Sequence, residues 1–303
     1  MDITNKQPKP LTVAWVATAL IASSVEPLVV KLGYKGAATA YQFLVLKLVL
    51  GGIFIAPIYR YIKWVGWKQF RSILLLCSFF ILNYMFIFYS LETITASVLV
   101  TIITTTPAVV AIVNQVRFRE SAGPKFWAGF ALCFIGVALT IDIMGSNTSL
   151  DSWGILLAFL SVGTSTLYRT RMDLVTKEVQ PMTISAYIFM VNAVVGLFFI
   201  PWIGKIDGYT WQLAAWIGFA GAIANIAFIS ALKLIGSTRI SILTVLQRPL
   251  VIVLAALILK EPLSMTQIGG ILMVLLGVQL AKVVPKKAVR NLGDDQVLAV
   301  SKG

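Results

Sequence analysis

Residues 89–139 read YSLETITASVLVTIITTTPAVVAIVNQVRFRESAGPKFWAGFALCFIGVAL, and residues 229–280 read ISALKLIGSTRISILTVLQRPLVIVLAALILKEPLSMTQIGGILMVLLGVQL. Each carries a proline in mid-run (Pro107, Pro249), then a basic residue and a glutamate (Arg119–Glu120, Lys260–Glu261). Each then restarts as an apolar run with two glycines seven apart. A shift of 141 lays Glu120 on Glu261, Gly129 on Gly270 and Gly136 on Gly277, while Pro107 misses Pro249 by one place. Earlier in the chain the shift drifts between 138 and 144, pairing Trp15 with Trp153, Lys31 with Arg169 and Pro57 with Pro201. The chain is written twice.

The two copies are greasy. Of 303 residues, 58% are hydrophobic and 12% charged, with a mean hydropathy of +0.89. A soluble domain carries roughly 25% charged residues, so the polar surface needed to stay in water is missing. Ten apolar runs have spanning length: 12–32, 38–59, 72–91, 95–116, 125–143, 152–172, 182–202, 211–230, 236–258 and 265–284. In hydrocarbon every backbone polar group must be paired within its own segment, so runs of about 20 residues are helices. The first run is too long for a signal-peptide core of about 7–15 residues and reads as a retained span. The fold expected is an all-α integral membrane protein of ten transmembrane helices.

Basic residues orient it. With the N-terminus inside, cytoplasmic segments hold 19 of the 25 Lys and Arg, external segments hold four (Lys31, Lys35, Lys205, Lys260), and Lys47 and Arg248 lie within spans. This asymmetry places both termini in the cytoplasm of a plasma (inner) membrane protein. It also explains the net charge of +13 without nucleic acid, because the cations are scattered between apolar runs. Five spans is an odd number, so the second copy enters the membrane from the opposite side. Inverted repeats of this kind are built around a substrate site at mid-membrane, between the halves. The organisation expected is a tail over 1–11, a first five-helix repeat over 12–143, an external linker over 144–151, a second repeat over 152–284 and a tail over 285–303.

The two quoted stretches resemble the EamA-like family of the drug/metabolite transporter superfamily. Both match its pattern of a polar-start helix, a mid-helix proline, a terminal glutamate and a glycine-bearing final helix. The resemblance spans essentially the whole chain and implies a secondary transporter working by alternating access. It does not fix the substrate, because relatives are associated with amino acids, sugars, nucleotide sugars, choline, polyamines and drugs.

Charged residues inside spans are expensive and mark function. Glu26 and Lys47 lie at similar depths in spans 1 and 2, which makes an ion pair feasible, either structural or part of a site. Arg248, beside Pro249, lies near the middle of span 9, where proline frees a backbone carbonyl. Polar residues at similar depth are Asn83 and Tyr84 in span 3, Asn192 in span 7, Asn225 in span 8 and Gln247 in span 9. Tyr168 and Tyr187 complete the candidate substrate-binding set. Glu26 is the one carboxylate well inside a span, and so the candidate for proton coupling. Histidine is absent and Cys77 and Cys133 are isolated, so neither a metal site nor a catalytic nucleophile is expected. No phosphate-binding loop for ATP is present, and no cofactor is expected.

An uncompensated Arg248 suggests an anionic or zwitterionic, amino-acid-like solute. The alternatives are efflux of drugs or cationic metabolites and, from another class, a non-transporting sensor or scaffold. The partners expected are a small solute and membrane lipid, with no nucleic acid. The paired glycines of spans 5 and 10 read as scaffold or homodimer contact, and SMTQ (264–267) has the spacing of a capping box.

Overall fold

A computed structural model describes the backbone of residues 10–280, except 37, 107, 111, 114–123, 141–150 and 261–262. It describes the side chains of these residues apart from 10–12, 61, 126, 173, 177, 181 and 229–250. The described chain is helical, without strands: α1 (Pro10–Lys35), α2 (Ala40–Phe54), α3 (Trp67–Thr93), α4 (Ala96–Thr104), α5 (Pro124–Thr140), α6 (Ser152–Glu178), α7 (Pro181–Phe199), α8 (Gly208–Leu254) and α9 (Met265–Leu280). Val13–Lys35, Trp67–Thr93, Met182–Trp202 and Gly208–Phe228 are each long and apolar enough to cross a bilayer. Leu257, Phe198 and Val194 are more than 60% exposed, as a lipid-facing surface requires. Linker residues 144–150, tail residues 1–9 and 285–303, Glu120 and Glu261 lie outside the described residues.

The junctions follow local chemistry. Pro124 opens α5, where its missing N–H costs nothing. Before α9, the Ser264 hydroxyl accepts from the Gln267 N–H and the Gln267 carbonyl oxygen accepts from the Ser264 N–H, both at 3.1 Å, closing the expected capping box. Thr39 and Gln42 build a second box at α2. The helical run before LKEP ends because Lys260 takes a left-handed conformation, φ 56°. Asp207 caps α8 by accepting from the Tyr209 and Thr210 N–H groups. The Thr210 hydroxyl donates to the same carboxylate, holding it below its ordinary pKa.

One expected loop is replaced by helical backbone. Residues 231–235, expected as a loop between spans 8 and 9, have helical backbone and fall within the 47 residues of α8. A straight helix of that length measures about 70 Å. Yet both of its ends meet the same turn of α1. The Tyr209 ring lies 3.4 Å from where a Gly36 Cβ would sit, and Lys35 Nζ donates to the Leu259 carbonyl, just past α8, at 3.0 Å. The element therefore reverses between Phe228 and Val251 and supplies both spans. The linking sequence, ISALKLI, lacks proline and is rich in helix formers, so helical backbone persists through it.

Packing reveals the symmetry. A Cβ on Gly136 would lie 2.6 Å from the Gly270 carbonyl oxygen, and one on Gly277 would lie 2.6 Å from the Gly129 carbonyl oxygen. Adding 141 to one repeat and subtracting it from the other turns the first contact into the second. Cys133 Sγ donates to the Val274 carbonyl at 3.7 Å, and these positions are themselves 141 apart, so the contact maps onto itself. α2 and α7 obey the same rule with a shift of 144: Gly52 meets Ala193, and Gly196 meets Val49. Contacts that exchange in this way define an isologous two-fold relation. Here α5 packs antiparallel on α9, so the axis lies across the helices and the repeats are inverted. The paired glycines are scaffold between the halves.

Candidate functional site

The halves enclose a cavity of about 310 Å³. Its walls are helical stripes. Val16, Ala19, Leu20, Ser23, Glu26 and Pro27 come from α1, and Phe80, Asn83, Tyr84, Ile87 and Phe88 from α3. Ile217, Gly218, Gly221, Ala224, Asn225 and Phe228 come from α8. Each set follows the i, i+3, i+4, i+7 spacing of one helix face. Phe80, Asn83, Tyr84 and Ile87 are repeat equivalents of Gly221, Ala224, Asn225 and Phe228, each 141 apart, so the cavity lies between equivalent surfaces of the two repeats. Lys47 (α2), Ser165 and Arg169 (α6) and Asn192 (α7) also line it.

Glu26 and Lys47 pair, with Lys47 Nζ 2.5 Å from Glu26 Oε1. The lysine is 6% exposed, and its ammonium stands 3.9 Å from the Tyr84 ring centroid. Gly221 lies beside it, where an added Cβ would make an ordinary contact of 3.6 Å with Nζ. Burial of an ammonium is tolerable only with such partners. Asn225 Oδ1 accepts from the Ser185 hydroxyl at 2.8 Å, and Asn83 Oδ1 from the Thr164 hydroxyl at 3.4 Å. Asn192 is different. It is 1% exposed, yet neither its amide nitrogen nor its oxygen has a hydrogen-bond partner among the described residues. An orphaned buried amide costs about 1–3 kcal/mol.

Six of the ten candidate residues therefore meet in one cavity: Glu26, Lys47, Asn83, Tyr84, Asn192 and Asn225. Tyr168 and Tyr187 do not line it. On α7 the lining face runs through Phe189 and Asn192, well away from Tyr187, whereas Tyr168 stands at the edge of the Ser165–Arg169 face of α6, behind the lining residue Phe80. Tyr187 donates to the Lys63 carbonyl at 3.1 Å, and Tyr168 packs against Phe80 within the cluster around Cys77. The side chains of Gln247 and Arg248 lie outside the described residues.

Arg169 is the charged lining residue that sequence reasoning missed, having assigned it to a cytoplasmic segment. α6 continues to Glu178, nine residues further, or about 14 Å. The available signal was its place within the apolar run 152–172.

The end of the bundle holding Lys35 is closed by polar contacts to helix ends. Lys31 Nζ donates to the Leu91 and Ile94 carbonyls at 2.7 and 2.8 Å, and Tyr34 to the Phe88 carbonyl at 2.9 Å. Ser90 donates to the Gly154 carbonyl at 2.8 Å, and Glu92 accepts from the Ala40 N–H at 2.6 Å. The cavity lies on the other side of this belt, reaching Val16, Arg169 and Phe228.

A largely apolar cavity carrying a few charged and amide groups, set between inverted repeats of a multi-pass helical membrane protein, is the arrangement transporters use. The chain belongs to the EamA-like transporter family, whose profile matches residues 10–142 and again 152–282, and so to the drug/metabolite transporter superfamily. It is 25% identical over 218 residues to the uncharacterized transporter YxxF of Bacillus subtilis (strain 168), covering 69% of each chain. A crystal structure shares the fold with a TM-score of 0.60 at 16% identity, covering 89% of this chain and 97% of the other.

Proposed function

We propose that the protein is a secondary transporter of the plasma (inner) membrane, with both termini cytoplasmic, and that it moves a small anionic or zwitterionic, amino-acid-like solute by alternating access. The observation that carries this reading is Asn192: a buried amide with both polar atoms unpaired among the described residues, in a lining that also presents the Arg169 guanidinium. A carboxylate on Arg169 with a polar group on Asn192 satisfies both chemistries. Glu26 and Lys47 neutralise one another, and Arg169 adds a guanidinium to the lining. The Tyr84 face that would suit a cationic solute is occupied by Lys47. A volume near 310 Å³ stands at the lower end of the roughly 300–1,000 Å³ typical of small-molecule sites.

Asn192→Leu should separate stability from transport. Removing an unsatisfied amide of similar volume should stabilise the fold by about 1–3 kcal/mol, read as a higher melting temperature in detergent. Uptake of the transported solute into proteoliposomes should fall roughly 10- to 100-fold, the loss of one hydrogen bond to a charged or polar ligand. Undiminished uptake would remove Asn192 from the site. Proton coupling, if present, passes through Glu26. Glu26→Gln should then abolish the response of flux to an imposed pH gradient, and an unchanged response excludes that role.

A further inference from the structure

We infer a second binding site, for the phosphodiester of an anionic phospholipid, at the end of the bundle opposite the Lys31 belt. The first turns of α3 and the last third of α6 form an open groove of about 820 Å³, lined by Trp67, Lys68, Arg71, Ser72, Leu75 and Arg171. Three of its six lining residues are cations. None of them has a carboxylate within ion-pairing distance among the described residues, where Glu26–Lys47 is the one pair. The nearby acid, Glu178, accepts instead from Gln69 at 3.1 Å.

Arg171 is already oriented. Its Nη2 donates to the Ser72 hydroxyl at 3.0 Å, while its Nε is buried and has no acceptor among the described residues. A guanidinium fixed at one nitrogen and unsatisfied at another suits a planar oxyanion contact. Lys68 and Arg71 stand on the same side of α3, three residues apart, and are exposed.

The surroundings select a lipid. Trp67 is 67% exposed and Leu75 41% exposed at the two ends of the groove. They offer an aromatic ring at headgroup level and an aliphatic surface about two turns, or about 12 Å, deeper, where acyl chains run. Trp64 is exposed beside Trp67. Basic pockets between membrane helices near a cytoplasmic surface attract anionic headgroups, with about 1 kcal/mol per cation near the surface, or roughly fivefold in affinity each.

The full-length protein in nanodiscs tests this, with phosphatidylcholine alone compared with phosphatidylcholine containing phosphatidylglycerol. The expected results are retention of phosphatidylglycerol over phosphatidylcholine in native mass spectrometry and a higher melting temperature in the mixed nanodisc. Lys68→Gln with Arg71→Gln, both exposed, should weaken that preference by roughly 30-fold, from the fivefold per cation above. Its melting temperature in pure phosphatidylcholine should not change. Arg171→Gln should also lose the preference, and Arg171→Lys should restore part of it. An unchanged preference in the Lys68→Gln/Arg71→Gln variant overturns the site. So does equal stabilisation of the wild type by inorganic phosphate or glycerol phosphate in pure phosphatidylcholine, which would make it a site for soluble phosphate.

Discussion

Gly136→Leu is expected to abolish the folded protein: little monodisperse material on size exclusion, and no cooperative melt from what remains. Even a single Cβ at this position would lie 2.6 Å from the Gly270 carbonyl oxygen and 2.8 Å from the Val274 backbone nitrogen. Both obstacles are backbone, so no rotamer change relieves them, and α5 and α9 must separate. Overpacking alone costs about 1–3 kcal/mol, and separation adds the van der Waals packing that holds membrane helices together. Gly136→Ala should be milder, and Gly277→Ala should cost a similar amount, because the repeat exchanges their contacts. Gly163 is the control. It lies within α6 with nothing within 4 Å of an added Cβ, so Gly163→Ala should raise stability by about 0.5–1 kcal/mol through backbone entropy. A Gly136→Leu protein that melts like the wild type would refute the close α5–α9 contact.

The same glycines explain why the fold was legible. Helices this close tolerate only hydrogen at the crossing points, so Gly129, Gly136, Gly270 and Gly277 had to recur at one spacing in both copies. Composition supplied the membrane, and the odd number of spans per copy supplied the inversion. Depth along the helix was also legible, because it needs only a rise of 1.5 Å per residue. That arithmetic brought Glu26 and Lys47 to one level, and the structure pairs them.

Direction around the helix axis was not legible for single residues. Tyr168 and Arg169 are neighbours about 100° apart on α6, and only the packing of α6 against α3 decides which of them faces the cavity. Arg169 was further obscured by the rule that served orientation so well. Counting cations near span ends as loop residues is sound in aggregate, yet it misplaces a cation that sits inside a helix longer than the bilayer. Asn192 stood out in sequence only as one polar residue among several. Its distinction, two unpaired amide atoms, is a property of neighbours that are absent.

Lys47→Met should destabilise the protein by about 3–5 kcal/mol, the usual consequence of leaving one partner of a buried pair uncompensated. Glu26 is 13% exposed, and Lys47 is its one ion-pair partner among the described residues. The lost ammonium also uncovers the Tyr84 face. The double variant Glu26→Leu/Lys47→Met should recover most of that loss or exceed the wild type, because well-packed apolar residues often replace a buried pair at no cost. A melting-temperature cycle over the four proteins measures the coupling, expected at the upper end of about 0.5–3 kcal/mol. Transport by the stable double variant then separates the two roles the pair can play. If the pair only fastens α1 to α2, uptake persists in a protein that no longer carries either charge. If the pair belongs to the site, uptake falls although the fold is intact, because the substrate's charged groups have lost partners at the centre of the cavity. An equal melting temperature for Lys47→Met and the wild type would instead show that Glu26 is readily accommodated without its lysine, and would remove the energetic basis for treating the two as a unit.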